Sequence, residues 1–246
     1  MSARITQLRL EAFEQLPKHA RRCVFWEVDP STLQAGDHLA DPEFEKEAWL
    51  SMVMLEWGSC GQMAVECGPD GEGPAAGLDD APCLGYAYYA PPRAVPRARL
   101  FPTSPVSADA VLLTSLGFES AAASETISRS LMAGVVTDLV RRGVRALEAF
   151  GRTQEAADLA DPRLVPPELA PTVEMLGDCS VDQCIIDADY LTDVGFTIVA
   201  PHRYFPRLRL ELEQGLGWKA EVEAALERLL ESETLRPVGA GASPCI

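Results

Sequence analysis

The sequence predicts an α/β fold, and three observations carry that prediction. Residues 110–151 read as a strand, a loop, a helix and a second strand. Short apolar runs alternate with amphipathic stretches on both sides of that unit. The chain has 246 residues, 47% of them hydrophobic, and so can bury a sizeable core as one large domain or two small ones.

The central unit sets the frame. Residues 110–116 (AVLLTSL) are a nearly continuous apolar run, which suits a strand buried on both faces. A small-residue loop over 117–125 follows. Apolar positions then fall at Ile127, Leu131, Val135 and Leu139, with Met132, Val136 and Val140 beside them, and this spacing predicts a helix over 127–142. Arg141, Arg142 and Gly143 supply a basic last turn and a glycine stop. Residues 144–150 (VRALEAF) read as the next strand, so the unit is a right-handed crossover between neighbouring parallel strands. Its strand-loop-helix turn suits an anion.

The other elements follow in chain order. A strand is predicted over 5–10, a short helical piece over 13–16, and a packed apolar segment over 23–27 (CVFWE). The stretch 42–57 begins with proline and three glutamates, which favour a helix start through fixed φ and the macrodipole. Phe44, Ala48, Met52 and Leu55 recur at spacings of four, four and three, which places them on one face of that helix, packed on the core. Residues 61–67 and 84–90 predict an antiparallel hairpin around a turn-rich segment. Tyr86, Tyr88 and Tyr89 bring phenols to the sheet for packing, two of them on one face. The prolines of 91–105 predict an extended connection.

Residues 152–178, broken by Pro162, Pro166, Pro167 and Pro171, predict an irregular flap beside the active cleft. A helix over 184–194, strands over 196–200 and 204–212, and a terminal helix over 217–231 complete the order. Residues 236–246 read as a flexible tail, which leaves 1–235 as a single domain with an amino-terminal elaboration.

Composition narrows the function classes. With 37 acidic against 21 basic side chains and a net charge of −16, neither nucleic acid nor an anionic membrane is expected as a partner. No run of 18 apolar residues and no signal-peptide pattern is present, so a cytoplasmic protein is expected. The seven cysteines include no CxxC pair and read as small core residues, with no disulfide framework and no metal site. Nucleotide-binding α/β families are disfavoured, because neither GxxxxGK nor GxGxxG occurs.

Two stretches carry a family resemblance. The first is Leu116-Gly117-Phe118, then Ala123-Ser124-Glu125-Thr126-Ile127-Ser128, then Arg129-Ser130-Leu131; the second is VGFTIV at 194–199 followed by RLRLEL at 207–212. In order and distance they resemble the GNAT superfamily of N-acetyltransferases, over roughly residues 83–212. In that family a strand leads into RGxGxG, whose backbone amides hold the pyrophosphate of acetyl-CoA at a helix start. Here Ala123 stands where the family has arginine, and Ser124, Thr126 and Ser128 replace three glycines.

The resemblance implies a mixed, mostly antiparallel sheet flanked by helices, with a splayed parallel strand pair. It implies acetyl-CoA as acyl donor and no metal, with Leu116, Phe118, Ser124, Glu125, Thr126, Ile127, Ser128 and Arg129 at the cofactor. It lets the Phe44 face line a substrate channel instead of the core. The acceptor it implies is a primary amine, of a small molecule or a protein, and a homodimer is allowed.

Tyr190 is the general-acid candidate, one residue before the family's usual tyrosine position, which Leu191 occupies. Glu148 and Glu119 are the candidate bases. Structural roles for all three remain open, as does a degenerate module of this fold that binds CoA weakly or not at all. Serine and threonine in place of glycine weaken binding wherever left-handed geometry is required, and Glu125 repels a pyrophosphate.

Overall fold

The computed structural model describes residues 3–32, 40–67, 82–119, 124–161, 163–176 and 181–212. Its strands are β1 (Ala3–Gln7), β2 (Gly61–Glu66), β3 (Cys83–Ala90), β4 (Ala110–Phe118), β5 (Ala146–Arg152), β6 (Ile186–Asp187), β7 (Thr197–Ala200) and β8 (Arg207–Glu211). They form one sheet in the order β1-β2-β3-β4-β5-β8-β7, with β6 beside β5. Every pairing is antiparallel except β4 with β5 and β5 with β6. The parallel β4–β5 pair expected from the sequence is therefore at the centre of the sheet.

Six α-helices are described: α1 (Lys18–Arg22), α2 (Pro42–Trp57), α3 (Ser124–Arg141), α4 (Ala170–Leu176), α5 (Val181–Cys184) and α6 (Ala188–Asp193). Helix α2 has the bounds its sequence predicts. Asp41 caps it by accepting the Phe44 N–H at 3.1 Å, and Gly58 ends it with φ +102°. Helix α3 joins β4 to β5. It stops at Gly143, φ +74°, where the Val144 N–H reaches back to the Leu139 carbonyl at 3.0 Å and satisfies an orphan acceptor of the last turn.

Two cores lie on opposite faces of the sheet. On one face, Tyr86, Tyr88, Leu112 and Phe150 pack with Phe25, Trp26 and Leu50 from the amino-terminal third. On the other, Tyr89, Val111, Leu147 and Ala149 pack with α3 and α6 through Val135, Leu139 and Leu191. The alternation along β4 and β5 sends neighbouring side chains to different layers.

Several expectations are corrected. The buried face of α2 is Lys46, Trp49, Leu50 and Val53, whereas Phe44 is 63% and Leu55 89% exposed, and Met52 and Ala48 are exposed as well. Lys46 is drawn inward by Glu27, whose Oε1 lies 2.5 Å from its Nζ, and by the Tyr88 ring, 4.8 Å away at its centroid. The proline-rich connection is not extended, for Pro92–Ala94 and Pro96–Leu100 each close a 3-10 turn. The expected flap is part of the core: Ala156, Leu159, Leu169 and Leu176 are buried in the same layer as Phe13 and Trp26.

The helix expected over 184–194 begins only at Ala188. Asp187 caps it by accepting the N–H groups of Asp189 and Tyr190, while Ile186 and Asp187 add to the edge of β5. Cys60, Cys83 and Cys184 are buried as core residues, but Cys184 is also disulfide-bonded, which the odd cysteine count did not signal. The loop residues 120–123, the terminal helix over 217–231 and the tail over 236–246 lie outside the described residues. No helix among the described residues is long and apolar enough to cross a membrane.

Candidate active site

The parting of β4 from β5 creates the site. Their ladder runs Ala110↔Ala146, Val111↔Leu147 and Leu112↔Glu148 and then stops. Beyond it β5 takes β6 as its neighbour, at Gly151↔Ile186 and Arg152↔Asp187. Between the far half of β4 and β6 opens a cleft of about 160 Å³, lined by Ser115, Leu116 and Phe118 on one side and by residues 183–187 and Tyr190 on the other. Among the described residues, no strand pairs with this half of β4 on its β5 side, so backbone N–H and C=O groups of that edge are open to an extended ligand.

Tyr190 reaches the cleft from α6, and its hydroxyl lies 2.5 Å from Ser128 Oγ of α3. Burial raises the phenol's pKa above its ordinary value, and the Ser128 hydrogen bond acts in the opposite direction. The phenol is therefore protonated at neutral pH. Ser128 itself is buried, held where α3 begins its climb along the sheet.

The two candidate bases lie elsewhere. Glu148 has no exposed surface, and Arg207 and Arg209 of β8 both bond its carboxylate, Arg209 at 3.2 Å. The Ser107 N–H adds a bond of 3.1 Å to the same oxygen that Arg207 takes. Glu148 alternates with Leu147 and Ala149 along β5, so it points to the face opposite the one that α6 covers. Glu119 is exposed just past β4, where its backbone N–H donates to the Leu84 carbonyl. Neither carboxylate lines the cleft.

The expected cofactor residues divide similarly. Leu116 and Phe118 line the cleft. Ser124 opens α3 and Glu125 follows it, their side chains lying outside the described set. Ile127 is buried against Ala64 and Leu131, which makes it a packing residue. Thr126 and Arg129 are exposed on the helix. Thr126 and Ser128 lie within α3, and no described non-glycine residue has positive φ, so the strain expected from missing glycines does not arise at these two positions.

Sequence reasoning missed Arg207, Arg209 and Asp187. Arg207 and Arg209 alternate with Leu208 and Leu210 in RLRLE, a pattern that marks one polar strand face but not its partner. Arg209 bonds Asp109 and Glu211 as well as Glu148, and these carboxylates, Asp109 first, push its pKa up. Asp187 caps α6, lines the cleft, and meets Arg152 at 3.3 Å. An Asp three residues before a tyrosine and ahead of an apolar turn was the available signal for that cap.

No protein-family model and no curated protein matches the chain. Among solved structures it is similar to the PaiA N-acetyltransferase of Thermoplasma acidophilum in complex with coenzyme A, at 12% identity over 86% of this chain and 99% of that one, with a TM-score of 0.44. It is similar to a GNAT superfamily phosphinothricin acetyltransferase of Sinorhizobium meliloti in complex with acetyl-CoA, at 15% identity over 86% and 89%, TM-score 0.43. It is also similar to an N-acetyltransferase of Staphylococcus aureus, at 12% identity over 86% and 99%, TM-score 0.42. The architecture that the resemblance to the GNAT superfamily implies is present in the chain's own strand order, a mostly antiparallel sheet whose central parallel pair parts at Leu112 and Glu148.

Proposed function

We propose that the chain is an acyl-CoA-dependent N-acyltransferase that moves an acetyl group from acetyl-CoA to a primary amine. The observation that carries this reading is the open edge of β4 beside Tyr190. A cleft of about 160 Å³ is smaller than the several hundred Å³ of a drug-sized site and suits a thin, extended arm carrying amides. Leu116 and Phe118 offer apolar walls, and the start of α3 places helix N–H groups where phosphates are favoured.

Acetyl-CoA would supply an acyl group already activated as a thioester. The chain's own residues then have few tasks. Tyr190 Oη holds a proton at the cleft wall, where a leaving sulfur requires one. Ser128 Oγ donates to that oxygen as the proton departs. Glu148 is a positioning residue that ties β5 to β8, and the proton of the attacking ammonium passes to solvent. The acidic surface favours a cationic acceptor over an anionic one.

The test combines binding and turnover. Acetyl-CoA at about 100 times its dissociation constant adds about 2.7 kcal/mol to stability, so a thermal shift at millimolar concentration is expected. Thiol release is then followed with panels of primary amines, alcohols and carboxylic acids. No shift and no release would end the proposal, a shift without release for any amine would assign a degenerate CoA-binding module, and turnover of anionic acceptors alone would overturn the amine assignment.

A further inference from the structure

His19, Cys23 and Cys184 place a ring nitrogen and two sulfurs within 4.8 Å of one another. None of the three has a task in the reaction proposed above. His19 and Cys23 are four residues apart, and the Cys23 N–H donates to the His19 carbonyl at 2.8 Å, so the turn of α1 presents both on one side. Cys184 arrives from the end of α5. Its carbonyl accepts the indole N–H of Trp26 at 2.9 Å in the buried core, which fixes its backbone over α1.

The spacing is that of a metal-ligand set. The Cys23 and Cys184 sulfurs are 3.6 Å apart. Two thiolates on one tetrahedral zinc ion, each about 2.3 Å from the metal, stand about 3.8 Å apart, and a thiolate and an imidazole nitrogen about 3.6 Å. The two sulfurs need to part by only about 0.2 Å, and the imidazole nitrogen, within 4.8 Å of them, to close by up to about 1.2 Å, to complete three ligands. Two thiolates also neutralise a divalent cation, which removes the penalty for burying net charge. Of the neighbouring charges, Lys46 and Glu27 are paired at 2.5 Å and largely cancel, while Arg97 adds a positive charge near Cys23.

We propose that the chain, once the Cys184 disulfide is reduced, binds one zinc-like divalent cation through His19, Cys23 and Cys184, with a fourth position open to water. A dithiol reductant supplies two electrons and two protons. The disulfide becomes two thiols, and the reductant leaves as its own disulfide. Metal binding then displaces the thiol protons of Cys23 and Cys184 into solvent.

The experiment uses the full chain, reduced with a dithiol, freed of reductant without air, and titrated with Co²⁺ as a spectroscopic probe. One equivalent is expected to give thiolate-to-cobalt charge transfer and tetrahedral ligand-field bands, both lost when Zn²⁺ is added. The unreduced chain is expected to give neither. Cys23→Ser and Cys184→Ser are expected to lose the charge-transfer intensity, while Cys67→Ser keeps it. His19→Gln, at a half-buried position, is expected to weaken Co²⁺ binding about tenfold or more, beyond any change in the melting temperature of the metal-free chain. A reduced wild type without the bands, a folded Cys23→Ser variant that retains them, or unchanged affinity in His19→Gln overturns the proposal.

Discussion

Ser128 Oγ of α3 and Tyr190 Oη of α6 lie 2.5 Å apart and join the two helices at the wall of the cleft. Burial raises the Tyr190 pKa, and the Ser128 bond lowers it in part. A general acid works only while protonated, so Tyr190 is expected to set an alkaline limb, whereas the need for a neutral attacking amine sets the acid limb. Ser128→Ala removes the lowering contribution and is expected to move that alkaline limb to higher pH. Tyr190→Phe is expected to abolish the limb and reduce kcat by about 100-fold. A pH–rate profile whose limb stays in place in Ser128→Ala would detach Tyr190 from the proton transfer.

Glu148 gives a test of the opposite kind, because two arginines and an amide already hold it. Replacing it with glutamine leaves the Arg207 and Arg209 guanidinium groups short of their shared anion. Breaking a buried pair in this way costs about 3 to 5 kcal/mol. Glu148→Gln is therefore expected to lower the denaturation midpoint strongly, while the variant that remains folded keeps most of its acetyl-CoA affinity. A variant with native stability and no turnover would restore Glu148 as a base.

Helix α2 shows how far the sequence could be read. Its start was legible because Pro42 and the first-turn glutamates are local signals, and the Asp41 cap and Gly58 stop that the structure adds are local too. Its buried face was not. Two stripes run along it, and the one that is buried contains Lys46, whose partner Glu27 sits on another segment, where periodicity carries no information. Leu50→Ala is expected to cost about 2 to 5 kcal/mol, as for a fully buried leucine. Leu55→Glu, on the stripe that spacing alone favours, is expected to change stability by less than about 0.5 kcal/mol. Paired urea melts decide between the faces, and equal losses would mean that the exposed stripe is covered in solution.

The same division holds for the site. The crossover and the parallel pair follow from apolar runs and a helix stop within one stretch of chain, and the cleft residues Leu116 and Phe118 from the family resemblance of that same stretch. The arginines on Glu148 and the meeting of Ser128 with Tyr190 are set by sheet order, since β8 comes to lie beside β5 and α6 beside α3 only once the whole sheet is assembled. Side chains 59 to 62 residues apart meet there.

Buried thiols predict the alkaline limit of the fold. Burial pushes Cys60 and Cys83 up from 9.0 to about 12. Between those values the unfolded chain releases both protons and the folded chain keeps them, so stability falls as pH rises. This contribution is complete below about pH 9 and is lost toward pH 12, at about 1.4 kcal/mol per pH unit for each thiol. Cys60→Ala is expected to remove one thiol's share of that slope in urea melts run between pH 8 and about pH 10.5 under reductant. An unchanged slope would place the loss on other groups.

The glycine-poor start of α3 supports a last prediction, opposite in sign to the one that the family pattern suggests. Glycine helps a phosphate loop where the chain must take positive φ or approach the ligand closely. Thr126 and Ser128 are helical, so glycine there relieves no strain. It would instead loosen the first turns of α3, by up to about 0.5 kcal/mol for an exposed position such as Thr126. At Ser128 it would also delete the hydrogen bond to Tyr190. The variant Thr126→Gly, Ser128→Gly is therefore expected to melt lower and to bind acetyl-CoA no more tightly than the wild type. Calorimetry showing tighter binding in the variant would mean that these residues leave the helix when the cofactor binds.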